Sequence, residues 1–247
     1  MPQAFQLPPP PLLADLAPSA GLAVFLDFDG TLVEIAPRPD AIEVPERLSE
    51  ALARLAARLD GRLALVSGRA ISDIERFTGP LTIACAGSHG ADMRDAAGAP
   101  IGESPMKFSA RVLGRMEEFA TRSGFALEAK PHGAALHYRD DPSLEGAGLA
   151  FARDLAASQG LDIKRGKCVI ELVGRGANKG SAVSAFMALA PFAGAMPVFI
   201  GDDVTDEDGF RAVSELGGCG ILVGDRQPSC ARYRLASPAA VHHWLEI

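Results

Sequence analysis

The sequence predicts an α/β chain in which a doubly wound parallel sheet carries a small inserted α+β domain. Three observations predict it. Short apolar runs alternate with amphipathic helical stretches, several of those runs stop at Gly, Ser or Asp, and the rhythm changes between residues 105 and 174. Alternating strands and helices cover both faces of a parallel sheet, with the binding site outside the carboxyl ends of the strands.

The elements follow in order. Residues 1–20 form a proline-rich arm, and Pro8–Pro11 favours an extended segment there. Leu22–Leu26 is the first buried strand and ends at Asp27. Pro45 then opens a helix that carries Leu48, Leu52, Leu55 and Leu59 at helical spacing. Leu63–Val66 and Leu81–Ala86 are the next strands, ending at Ser67-Gly68 and Gly87-Ser88. In the inserted region, a helix with Phe108, Val112, Met116 and Phe119 leads to strands at Phe125–Ala129 and Ala134–Arg139. A second helix and a strand at Lys167–Val173 complete it. That order, helix-strand-strand-helix-strand, suggests a largely antiparallel sheet lying over the carboxyl edge as a cap. Helices at Asn178–Ala190 and Thr205–Leu216 flank the strand Pro197–Ile200, and Gly220–Val223 adds another strand. The expected organisation is a core of residues 21–104 and 175–247 with a cap of residues 105–174.

Composition narrows the function. The 247 residues are 48% hydrophobic, enough for a sizeable core, and the net charge is −7. An acidic chain is a poor match for nucleic acid or an anionic membrane, so neither is an expected partner. Cys85, Cys168, Cys219 and Cys230 are scattered and read as reduced thiols rather than a disulfide framework. The start Met1-Pro2-Gln3-Ala4-Phe5-Gln6 lacks the basic residues of a secretory signal, and no stretch approaches a membrane span. The expected location is the cytoplasm.

Four segments converge on the expected strand edge. In Asp27-Phe28-Asp29-Gly30-Thr31 the period of two puts both carboxylates on one side of a strand end, which points to a metal, a shared proton, or both. In Val66-Ser67-Gly68-Arg69 a hydroxyl and turn amides can hold a phosphate oxygen. Lys179 stands at a helix start, where cation and amides both favour an anion. Gly201-Asp202-Asp203-Val204-Thr205-Asp206-Glu207 is an acidic cluster after a strand. An EF-hand reading fails because Gly30 falls at the fourth loop position instead of the sixth. A Walker reading fails because Asn178 precedes the lysine and Gly180 follows it. Phosphoryl chemistry fits the charges. Mg²⁺ held by Asp27, Asp202 and the Asp29 main chain would cancel the repulsion between a carboxylate and a phosphate dianion. Lys179 adds a second positive charge, and Thr31 and Ser67 position phosphate oxygens. Asp27 would be the nucleophile, and Asp29 the acid and then the base.

These motifs resemble those of haloacid-dehalogenase-type phosphatases: Asp-x-Asp-Gly-Thr, a Ser after the second strand, a Lys, and Gly-Asp-Asp-x-x-Asp. More narrowly, the chain resembles bacterial trehalose-6-phosphate phosphatases. The resemblance is carried by Ser67-Gly68-Arg69, Gly87-Ser88-His89-Gly90-Ala91, His137-Tyr138-Arg139, Gly166-Lys167-Cys168-Val169-Ile170-Glu171 and the 201–207 loop. It implies a Rossmann-like core, an α/β cap, Mg²⁺ dependence and release of trehalose from its 6-phosphate. It also implies that Lys130, His137, Arg139, Lys167 and Glu171 bind the sugar, that Asp203 and Asp206 support the metal set, and that a trehalose-6-phosphate synthase is the partner supplying substrate. His89 reads as a structural histidine near the hinge, and His242 and His243 beside Trp244 as terminal packing. Two departures bear on the sugar: Glu171-Leu172-Val173-Gly174 lacks the basic residue and Pro of many relatives, and Asp92 replaces a common Glu. The alternatives are another capped sugar-phosphate phosphatase, acting on sucrose 6-phosphate or mannosyl-3-phosphoglycerate, and a non-catalytic sugar-phosphate sensor.

Overall fold

The computed structural model of the chain describes residues 7–16, 21–38, 40–102, 108–130, 132–166 and 168–247. The expected core–cap boundary at 104/105 and the expected sugar ligand Lys167 lie outside the described residues.

After a short helix α1 (Leu13–Leu16), strand β1 (Leu22–Leu26) enters the centre of the molecule. Helix α2 (Leu48–Arg58), β2 (Leu63–Val66), α3 (Ile71–Thr78), β3 (Ala84–Gly87) and β4 (Asp92–Arg94) build one half of the main sheet. The inserted unit runs α4 (Ala110–Ser123), β5 (Ala126–Lys130), β6 (Gly133–His137), α5 (Glu145–Gln159), β7 (Leu161–Gly166) and β8 (Val169–Gly174). The chain returns through α6 (Lys179–Met187), β9 (Met196–Gly201), α7 (Glu207–Glu215), β10 (Cys219–Val223), β11 (Tyr233–Leu235) and α8 (Pro238–Leu245).

Seven strands form the main sheet in the order β11-β10-β9-β1-β2-β3-β4, and every pair is parallel except β3 with β4. Alternation within β1 serves both faces. Leu22, Val24 and Leu26 enter one apolar layer with α2 and α8 residues, while Ala23 and Phe25 enter the other with Phe186, Phe199 and Phe210. Central β1 is flanked by β9 and β2, so Asp27, Ser67 and Asp202 emerge side by side at three neighbouring carboxyl ends. A separate four-stranded antiparallel sheet, β5-β6-β8-β7, packs with α4 and α5 around Met116, Phe119, Phe125, Leu136, Leu155 and Leu172.

Three details differ from the sequence expectation. The cap has a fourth strand, β7, whose residues Leu161-Asp162-Ile163-Lys164-Arg165-Gly166 carry too little apolar signal to stand out. The strand expected at Leu81–Ala86 occupies only Ala84–Gly87, in register with Ala64–Val66 of β2. The described part of the arm is docked. Pro8 O accepts from Arg234 N at 2.9 Å, Pro11 O accepts from Trp244 Nε1 at 2.7 Å, and Leu13 and Leu16 pack on the core. Among the described residues, no helix is long and apolar enough to cross a membrane.

Candidate active site

The first loop is a tight turn closed by its own backbone. Asp27 N donates to Ile200 O at 2.9 Å, and Leu32 N and Val33 N both donate to Phe28 O. Gly30 adopts φ 77°, and a Cβ there would lie 2.4 Å from the Asp202 carboxylate. Only glycine permits that approach of the two acidic loops.

Lys179 sits at the first position of α6, set by an Asn178–Ser181 capping box in which Ser181 N donates to Asn178 Oδ1 at 2.7 Å. Its ammonium, 2% exposed as a residue, reaches Asp27 Oδ1 at 2.7 Å and Asp206 Oδ1 at 2.6 Å. Asp206 is fully buried, and its second oxygen accepts from Asp203 N at 2.8 Å. One carboxylate thus both shapes the 201–207 loop and holds the lysine. Arg226 braces that loop from outside, donating to the carbonyls of Asp202 and Asp203 and pairing with Glu207.

Among the described residues, Asp27, Asp202 and Asp206 form a group with ligand oxygens within 4.8 Å of one another. An oxygen-only set of this charge fits a hard divalent cation. The electrostatics agree. Burial and the Asp206 charge push the Asp27 carboxyl well above the usual range, Lys179 opposes them, and Asp202 adds to the rise. Burial disfavours the Lys179 cation, but Asp206 and Asp27 outweigh it and hold the ammonium well above its ordinary pKa.

Asp29 is not part of that carboxylate group. Its side chain turns to Arg69, which donates from Nε at 2.6 Å and from Nη2 at 2.8 Å. Asp73, in the first turn of α3, holds Arg69 Nη1 at 3.0 Å. Ser67 is buried, and its Oγ accepts from Arg69 N at 3.1 Å. Thr31 is fully buried, and its Oγ1 has no hydrogen-bond partner among the described residues.

The cap meets this edge through charged side chains. Lys130 Nζ donates to Glu171 Oε1 at 2.8 Å and to Gly68 O at 3.3 Å. Glu171, 5% exposed, also receives His89 Nε2 at 2.9 Å. Burial opposes the Glu171 charge, but Lys130 and the His89 hydrogen bond prevail and hold its carboxyl well below the usual range. Arg139 reaches the core loop after the first motif, donating to Pro37 O at 2.8 Å and Ala36 O at 3.1 Å. His137 is tied to Glu128 at 2.8 Å within the cap.

Of the residues expected in the site, Asp27, Asp202, Asp206 and Lys179 come into direct contact or close grouping. Lys130 joins the Ser67-Gly68-Arg69 turn, and Glu171 meets Lys130 and His89 beside it. The His137 side chain bonds Glu128 within the cap, and Asp203 exchanges hydrogen bonds with Asp206 in a capping box. Sequence reasoning missed Glu128, Asp73 and the partners of His89. Glu128 was findable: it lies two residues before Lys130 and so on the same face of β5. His242 does more than terminal packing, with Nε2 2.8 Å from Leu32 O behind the first loop.

A trehalose-phosphatase family model matches residues 25–239. The chain is 40% identical to trehalose-6-phosphate phosphatase of Escherichia coli K12 over 232 residues, covering 93% of this chain and 87% of that protein. The C-terminal domain of Candida albicans trehalose-6-phosphate phosphatase superposes with a TM-score of 0.81 at 22% identity, covering 98% of this chain and 97% of that domain. A haloacid dehalogenase-like hydrolase from Bacteroides thetaiotaomicron superposes at 0.65 with 16% identity, covering 92% and 98% of the two chains. The fold is that of the haloacid dehalogenase-like hydrolases, and the chain belongs to the trehalose-phosphatase family.

Proposed function

We propose that the protein hydrolyses trehalose 6-phosphate to trehalose and inorganic phosphate, the last step of trehalose synthesis, in the cytoplasm and downstream of a synthase. The observation that carries this reading is the meeting of Asp27, Lys179 and Asp202 at the strand edge, beneath a cap whose Lys130 and Glu171 reach the same edge. Residues 105–174 act as the cap over a core of 21–104 and 175–247.

Asp27 attacks phosphorus, and the bond to the sugar oxygen breaks as the bond to Asp27 forms. Asp29 gives its proton to the leaving oxygen. It then takes a proton from the water that attacks the aspartyl phosphate, which frees phosphate and restores Asp27. Asp27 and Asp202 with the Asp29 main chain would hold Mg²⁺, which would supply positive charge against the phosphate. Asp203 and Asp206 hold the loop that carries Asp202. Lys179, Ser67 and Thr31 bind the phosphate oxygens. The open Thr31 hydroxyl suits that role, since a buried hydroxyl without a partner is costly until a ligand supplies one. Lys130, His137, Arg139, Lys167 and Glu171 take the sugar, where charged groups supply strong donors and acceptors for hydroxyls.

The test is phosphate release with Mg²⁺ from trehalose 6-phosphate beside glucose 6-phosphate, sucrose 6-phosphate and mannosyl-3-phosphoglycerate. Preference for trehalose 6-phosphate, lost in EDTA, is the expected result. Preference for another ester would overturn the substrate assignment, and tight binding without turnover would favour a sensor.

A further inference from the structure

Ser88, His89 and Gly90 take φ values of 49°, 58° and 98°, three left-handed residues in a row of which only one is glycine. Such a backbone costs energy, and it persists only where its surroundings fix it. Here they do. Ser88 N donates to Arg69 O at 2.8 Å and His89 N donates to Ser67 O at 2.9 Å, so the turn is bonded to both ends of the phosphate-binding segment. The strain aims the imidazole across Gly68, where a Cβ would lie 2.7 Å from its Cε1. The ring ends at the cap, on Glu171 at 2.9 Å.

We propose that His89 is a positioning residue for the cap: it receives Glu171 when the cap closes and fixes that carboxylate toward the sugar. The ionised Glu171 only accepts, so His89 carries the proton on Nε2 and gives the carboxylate one direction. Lys130 holds the other oxygen and also Gly68 O. The same turn therefore touches Ser67, at the phosphate end of the substrate, and Glu171, at the sugar end. A packing histidine would need neither the left-handed backbone nor the cap carboxylate. This inference rests on the sugar-phosphate reading above and assigns a core residue to sugar selection.

The experiment is a double-mutant cycle in the full chain, run on whichever sugar phosphate the wild type prefers. His89→Asn suits the left-handed backbone but is too short to reach Glu171, while His89→Gln restores an amide donor at similar reach. His89→Asn is expected to lower kcat/KM about tenfold or more, chiefly through KM, and His89→Gln to recover most of it. Added to Glu171→Gln, His89→Asn should cost little further. The proposal is overturned if His89→Asn matches the wild type, if its effect adds fully to that of Glu171→Gln, or if hydrolysis of p-nitrophenyl phosphate, which carries no sugar, falls in parallel. A wild type preferring another sugar phosphate would overturn the substrate assignment, and the cycle on that ester would still decide the role of His89.

Discussion

The Lys179 ammonium lies 2.7 Å from Asp27 Oδ1 with both side chains almost wholly buried. This contact joins the proposed nucleophile to the only cation bonded to it among the described residues, and Asp206 holds the ammonium from the other side at 2.6 Å. Lys179→Met keeps the length and removes the charge, leaving two buried carboxylates to repel. The expected result is a loss of kcat of at least about 100-fold, in line with removing one transition-state donor. A stability loss of about 3–5 kcal/mol accompanies it, typical of a broken buried pair. Steady-state kinetics and urea unfolding check the two parts.

Asp27 predicts the opposite trend in stability. Burial and Asp206 push its carboxyl up, so the ionised form costs stability at neutral pH, and that cost disappears as pH falls through the raised value. Metal-free Asp27→Asn is therefore expected to melt higher than the wild type, by about 2–4 °C for each kcal/mol relieved. Added Mg²⁺ should raise the wild-type Tm and leave the variant nearly unchanged. Thermal melts in EDTA and in Mg²⁺ measure both; a lower Tm for the metal-free variant would contradict the electrostatic account.

Arg69 grips Asp29 with two hydrogen bonds and is itself held by Asp73. Lysine cannot reproduce that fork. Arg69→Lys is expected to lower kcat about tenfold for a sugar phosphate, whose leaving alkoxide needs a proton. It should spare p-nitrophenyl phosphate, whose phenolate leaves without one. Equal losses on both esters would remove Arg69 from any role in orienting the acid.

Glu171 gives a pH prediction. Its folded carboxyl lies below the usual range, so its ion pair contributes stability above about pH 4.3, its unfolded value, and loses it as pH falls further. Glu171→Gln should melt lower than the wild type at pH 7, and the gap should close in strong acid. A gap that stays constant with pH would show that packing, not charge, accounts for the loss.

The core was legible because three of its four motifs end apolar runs, and a parallel sheet collects such ends on one edge. The burial of Lys179 was not: a helix-start lysine reads as solvated until Asp27 and Asp206, 152 and 27 residues away in sequence, are folded onto it. The cap was harder. β7 carries Lys164 and Arg165 among few apolar residues, and as an edge strand it takes its register from β8. Docking of the arm uses two carbonyls, Pro8 O and Pro11 O, which every sequence possesses alike, beside the packing of Leu13 and Leu16. The reach of His89 to Glu171 depends on a left-handed backbone that neither Ser88 nor His89 advertises.

The central claim is that Asp27 takes the phosphoryl group from trehalose 6-phosphate. The most direct measurement is acid-quenched reaction of the Mg²⁺-loaded protein with the radiolabelled phosphate ester, followed by peptide mapping. The account predicts label on the peptide containing Asp27 in the wild type and none in Asp27→Asn, which also releases no phosphate. Rapid phosphate release by Asp27→Asn, or label bound elsewhere in the chain, would contradict it.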